Sequence, residues 1–227
     1  MLDQFNVILF DADRTLYDTG AMETYALEKL IPELGVDFTP EMACSYYEIN
    51  EELWRRIELG ELTREYVRVE RFRRFLKMYG ISADPEEVNE RYITIFKTHN
   101  VMMPGAEQVC RTLAKEKTLA IVTNGTAHVQ RARLAMSAIT DCLTDVFISE
   151  EIGVPKPQKA FFEAVLESLH VTDRSRVLIV GDSLTGDIRG GNNAGIRTCW
   201  FNPDGAENHT DAHCDFEIAA LTELLEM

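Results

Sequence analysis

Two aspartates, Asp11 and Asp13, stand one residue apart directly after the apolar run Val7-Ile8-Leu9-Phe10. Side chains alternate in an extended chain, so both carboxylates turn to one side while Ala12 and Arg14 face the other. Such a pair can divide nucleophilic attack and proton transfer between its members. Two aspartates in an ordinary loop after a strand would look the same, and the pair gains weight only from what accompanies it.

Three further segments carry matching chemistry. Thr123 and Asn124 follow Ile121-Val122 and offer a hydroxyl and backbone N–H groups to phosphate oxygens, although an Asn-Gly turn capping a helix reads alike. Lys156 lies between Pro155 and Pro157, which restrain its backbone and suit it to present a fixed positive charge. Asp182 and Asp187 add a second acidic pair after Ile179-Val180-Gly181. Carboxylates gathered from separate segments are the oxygen donors that a hard cation such as magnesium takes. Each segment alone is commonplace. All four in this order, each following an apolar run, point to one site for phosphate and metal.

For these segments to meet, the chain must fold as alternating strands and helices. Short β-branched runs at Val7 to Phe10, Leu119 to Val122, Val146 to Ile148, Val177 to Val180 and Thr198 to Phe201 read as strands. Helical patterns lie between the later ones, at Ala106 to Lys115, Ala127 to Met136, Lys159 to Leu169 and Gly186 to Ala194. This order predicts an α/β fold with a doubly wound parallel sheet, whose ligands bind outside the carboxyl ends of the strands. From about Thr19 to Met103 no strand pattern appears, and apolar residues such as Tyr46, Ile49, Leu53 and Ile57 recur at helical spacing. The expected organisation is an α/β core built from residues 1–17 and 104–227, with residues 18–103 inserted as an all-helical cap.

Composition narrows the class. A chain of 227 residues that is 45% hydrophobic and 27% charged has the make-up of an ordinary globular protein. Its net charge of -15 repels nucleic-acid backbone and anionic lipid, so neither polymer nor membrane is an expected partner. The same charge repels a phosphate ligand unless a cation and a lysine are concentrated locally, which makes Mg2+ the expected cofactor. The five cysteines form no CxxC pair, as reduced thiols would. The start Met1 to Asn6 lacks a positive segment, and no apolar run nears the roughly 20 residues of a membrane helix. A cytoplasmic location is expected.

Taken together, Asp11-Ala12-Asp13-Arg14-Thr15, Thr123, Lys156 and Asp182 to Asp187 resemble the four patterns of the haloacid dehalogenase-like (HAD) phosphohydrolases, over nearly the whole chain. The stretches DADRTLYD, IVTNG and SEEIGVPKP, with Asn50 through Leu53-Trp54, are similar to its pyrimidine 5'-nucleotidase branch. The family often has Glu where this chain has Arg14, a side chain expected to point away from the phosphate. The resemblance implies a HAD-like Rossmannoid core and a magnesium-dependent phosphomonoester hydrolase acting through an aspartyl-phosphate. In that reading Asp11 is the nucleophile and Asp13 the acid and then the base. Thr123, Asn124 and Lys156 hold the phosphate. The metal binds Asp11, the Asp13 carbonyl and Asp182, with Asp187 nearer the second layer.

The two aspartates need different proton affinities, and closure of the helical insertion is the expected means of setting them apart. The insertion is also expected to choose the substrate. Asn50 and Trp54 lie four apart on a predicted helix and can share a face, where an amide reads base edges and an indole stacks, although burial tendency favours Trp54 as a core or hinge residue. The resemblance makes a nucleoside monophosphate the first expectation, and a sugar phosphate or phosphoglycolate the alternative. A phospho-receiver or a non-catalytic phosphate-binding protein is disfavoured by Asp13 and by the retained acidic residues.

Overall fold

The computed structural model describes residues 2–227, so Met1 of the expected core segment lies outside the described residues. The chain forms two compact units, one made of the segment up to Asp18 together with Met102–Met227, the other of Thr19–Val101. Strand β1 (Val7–Phe10) opens the first unit, every residue of it buried.

The second unit is entirely helical, with α1 (Thr19–Glu33), α2 (Pro40–Glu58), α3 (Arg64–Tyr79) and α4 (Pro85–Phe96). Its helices start and stop where the residues dictate. Pro40 and Pro85 occupy first-turn positions, where a missing N–H costs nothing. The Thr63 hydroxyl caps α3 by accepting from the Tyr66 N–H, and Gly80, at φ 64°, ends it in the left-handed conformation. Tyr46, Phe72, Phe75 and Tyr92 pack ring against ring at the centre of the bundle, with centroids 5.1 to 6.0 Å apart. Burying Phe72 and Phe75 contributes about 1.5–3 kcal/mol each.

In the first unit the chain continues through α5 (Ala106–Leu113), β2 (Thr118–Thr123), α6 (Ala127–Ala135), β3 (Asp145–Ile148), the single turn α7 (Ser149–Ile152) and α8 (Lys159–Ser168). It ends with β4 (Val177–Gly181), a wide helical turn at Leu184–Ile188, α9 (Arg189–Ala194), β5 (Arg197–Phe201) and β6 (Phe216–Ile218). The six strands lie in the order β3-β2-β1-β4-β5-β6, each pair parallel. Strand β1 is flanked by β2 and β4, so the winding reverses beside it, and a crevice opens at its carboxyl end. The layer under one sheet face is apolar throughout, with Leu9, Val122 and Ile179 packed on Phe161, Phe162 and Val165. The sixth strand, which the periodicity did not announce, adds three residues to the edge beside β5. Among the described residues no helix is long and apolar enough to cross a membrane.

Candidate active site

Asp11 is the first residue beyond β1, and its N–H donates to the Val180 carbonyl at 2.9 Å, adding a rung to the β1–β4 ladder. That bond fixes the backbone from which the carboxylate projects. The chain then turns sharply. The Leu16 and Tyr17 amides both donate to the Ala12 carbonyl, and the Arg14 N–H donates to the Tyr17 carbonyl at 2.8 Å. Arg14 sits at φ 64°, a conformation that costs a side-chain-bearing residue about 1–2 kcal/mol and that the tight turn imposes. Thr15, fully buried inside the turn, accepts from the Asp182 N–H at 3.2 Å. The turn after β1 is thereby tied to the turn after β4.

Lys156 comes from the segment after α7 and reaches inward. Its ammonium donates to Asp11 Oδ1 at 2.5 Å, to Asp187 Oδ1 at 2.6 Å and to the Val122 carbonyl at 2.9 Å. All three donors of the ammonium are therefore used. Its backbone is fixed by Asn124, whose amide accepts from the Lys156 N–H at 2.9 Å and donates to the Lys156 carbonyl at 3.0 Å. This reciprocal pair commits the Asn124 side chain to the Lys156 backbone. Thr123 is buried at the end of β2, and its hydroxyl accepts from the Gly125 N–H at 2.9 Å.

Asp187 is buried, and its second oxygen accepts from the Ser183 N–H at 3.1 Å. Gly181 is required beneath it, since a Cβ there would lie 2.3 Å from the Asp187 carboxyl carbon. The Asp182 carbonyl accepts from the Trp200 indole at 2.9 Å, and the Asp182 carboxylate accepts from the Thr15 hydroxyl at 3.4 Å.

Asp11, Asp182 and Asp187 each bring a carboxylate oxygen within 4.8 Å of the others. Three carboxylates against one ammonium leave excess negative charge, and the donors are all oxygen, a set that fits a magnesium ion. Burial pushes the Asp11 carboxyl above the ordinary carboxylate range. Lys156 opposes that shift, and the neighbouring Asp187 and Asp13 add to it. Burial alone would lower the Lys156 ammonium, but the two carboxylates it touches overcome this and raise it.

The Asp13 carboxylate is engaged at both oxygens by α6. Gln130 Nε2 donates to Oδ2 at 2.6 Å and Arg133 Nη1 to Oδ1 at 2.5 Å. Sequence reasoning did not single out Gln130 or Arg133, and it met Thr15 only as the last residue of the first motif. A glycine at position 125 was the available signal, because a Cβ there would meet Gln130 Nε2 at 2.1 Å.

Asn50 and Trp54 belong to α2 of the helical unit. Asn50 is buried, donating to Glu23 at 2.8 Å and accepting from Arg71 at 3.4 Å, while Arg71 also donates to Asn89 at 2.8 Å. Both ends of the Asn50 amide are thus engaged inside the helical unit. Trp54 is half-buried.

The family model for "haloacid dehalogenase-like hydrolase" matches residues 5–195. This chain belongs to that family. Among its HAD relatives, the HAD-hydrolase YfnB of Bacillus subtilis is 37% identical, over 98% of this chain and 95% of that one. The pyrimidine 5'-nucleotidase PynA of Streptococcus pneumoniae is 34% identical, over 98% of this chain and 94% of that one. The pyrimidine 5'-nucleotidase YjjG of Escherichia coli is 32% identical, over 97% and 96%. A crystal structure of YfnB bound to magnesium superposes with a TM-score of 0.92, at 37% identity, covering 98% of this chain and 97% of that one.

Proposed function

We propose that this phosphatase hydrolyses nucleoside 5'-monophosphates, pyrimidine nucleotides in particular, through a phosphoryl group carried on Asp11. The observation that carries the reading is the buried Asp11 carboxylate, gripped by Lys156 at 2.5 Å beside two further carboxylates. Substrate class rests on PynA and YjjG, both pyrimidine 5'-nucleotidases and both similar to this chain over nearly its whole length.

The chemistry follows from the residues. An oxygen of Asp11 attacks phosphorus in line, the bond from phosphorus to the ester oxygen breaks, and Asp13 passes a proton to the departing alcohol. Asp13, now a carboxylate, takes a proton from water as that water attacks phosphorus, which frees Asp11. Backbone N–H groups around Thr123 and Asn124 and the Thr123 hydroxyl donate to the phosphate oxygens, while Lys156, its donors held by Asp11, Asp187 and the Val122 carbonyl, contributes its positive charge from behind Asp11. Asp11, the Asp13 carbonyl and Asp182 would hold magnesium, with Asp187 behind them bracing Lys156. When bound, that ion neutralises phosphate oxygens that this acidic protein would otherwise repel. In the helical unit, Trp54 is the group proposed to meet the base, and Asn50 to act by holding Glu23 and Arg71 in place.

A magnesium-supplemented panel of nucleoside monophosphates, sugar phosphates and phosphoglycolate, with Asp11→Asn protein as blank, tests the reading. Preference for pyrimidine nucleotides by tenfold or more in kcat/KM is the expected result. Preference for a sugar phosphate or phosphoglycolate would move the assignment to that class.

A further inference from the structure

Arg133 is fully buried in α6, and its guanidinium forms an ion pair with the Asp13 carboxylate. The guanidinium lies 4.6 Å from the centre of the Tyr17 ring, and Tyr17 closes the same turn that carries Asp13. Gln130, also buried, grips the other oxygen of Asp13, and the absence of a side chain at Gly125 makes room for its amide. An apolar residue would fill the place of Arg133 with no cost of desolvating a charge. That cost falls here against a carboxylate whose side chain is 31% exposed.

We propose that Gln130 and Arg133 are positioning residues for the acid–base group Asp13. They act as a bracket that fixes its carboxylate in one orientation and ties it to the phosphate-binding turn at Thr123–Gly125. The inference rests on the phosphatase reading above. Two donors at two oxygens define the direction of the carboxylate, and Tyr17 beneath Arg133 defines the position of the bracket. With Asp13 adrift, the departing alkoxide waits for its proton and the attacking water for its base. Binding of the phosphate group is unaffected, because Asp11, Lys156 and the turn after β2 remain in place.

The test compares two esters on one enzyme preparation, in single turnovers that follow release of the leaving group. A nucleoside monophosphate leaves as an alkoxide and needs a proton, whereas 4-nitrophenyl phosphate leaves as a stabilised phenolate and does not. Gln130→Leu and Arg133→Met are each expected to slow nucleoside release by about a hundredfold, the scale of lost general acid catalysis, with KM changed by less than about threefold. Release of 4-nitrophenolate should fall by less than about fivefold, and Arg133→Lys should recover part of the loss by keeping the charge. The ratio of the two rates does not depend on how much of a variant is folded. An unchanged ratio in both variants overturns the inference, even if both rates fall. Wild-type protein inert toward both esters would instead overturn the phosphatase reading, and the inference with it.

Discussion

The Lys156 ammonium lies 2.5 Å from Asp11 Oδ1 and 2.6 Å from Asp187 Oδ1, so a single cation joins the residue after β1 to the turn after β4. All three side chains are buried. Removing one partner of such a cluster leaves uncompensated charge in a poorly solvated place, which costs far more than losing a surface ion pair.

Lys156→Met is therefore expected to destabilise the metal-free fold by about 3–5 kcal/mol, read as a lower urea midpoint, and to abolish turnover. Lys156→Arg should not restore activity, since a planar guanidinium cannot place three donors where the ammonium does. A urea midpoint equal to the wild type would show that the cluster does not stabilise the fold.

Gly181→Ala should be inactive although the change adds only a methyl group. The new Cβ would fall 2.3 Å from the Asp187 carboxyl carbon and push it off Lys156. Overpacking of this kind costs about 1–3 kcal/mol. Steady-state kinetics with thermal melting checks this, and wild-type kcat in the variant would contradict it.

Proton release should accompany magnesium binding. Burial, outweighing Lys156 and reinforced by Asp187 and Asp13, raises the metal-free Asp11 carboxyl, so a cation must displace a proton that ordinary carboxylates would already have lost. Affinity is thus expected to rise with pH across the range above the ordinary carboxylate value. Isothermal titration in buffers of differing ionisation enthalpy measures the protons released, and a pH-independent affinity with none released would contradict it. For Asp11 alone, the linkage sign makes the metal-free fold relatively more stable at low pH. That contribution is lost as pH climbs from the unfolded carboxylate value, about 3.9, through the raised one.

The opposite sign holds at the sheet edge. Asp215 is held below the ordinary range, because Arg197 and the Thr198 N–H and hydroxyl outweigh the burial that works against them. Its stabilisation is present above the unfolded value of about 3.9 and fades as pH falls through the lowered one. Asp215→Asn should cost about 1.5–3 kcal/mol at neutral pH and nothing once the wild-type group is protonated. Denaturant curves at neutral and acid pH check this, and an equal cost at both would contradict it.

How much was legible depends on whether a feature is written in consecutive residues. The strands bearing Phe10, Thr123 and Gly181 are unbroken apolar runs that end in polar residues, so the run itself marks both strand and site. The bracket on Asp13 is different in kind. Gln130 and Arg133 lie on an ordinary-looking helix, and their purpose arises only because α6 runs back past the turn after β1. Asn50 falls between. It shares the buried stripe of Met42, Tyr46, Ile49, Leu53 and Ile57, so its burial is periodic, but its partners Glu23 and Arg71 come from other helices. Strand β6 has only three residues and follows a polar segment, too short for a period of two to register.

The central claim is that Asp11 carries the phosphoryl group. Rapid acid quench of the enzyme with magnesium and its best nucleotide, followed by peptide mass spectrometry, tests it directly. One phosphorylated aspartate is expected, in the peptide spanning Val7 to Thr15, and none in Asp11→Asn protein. Turnover persisting in pure Asp11→Asn protein, or a phosphoryl group trapped on any other residue, would contradict it.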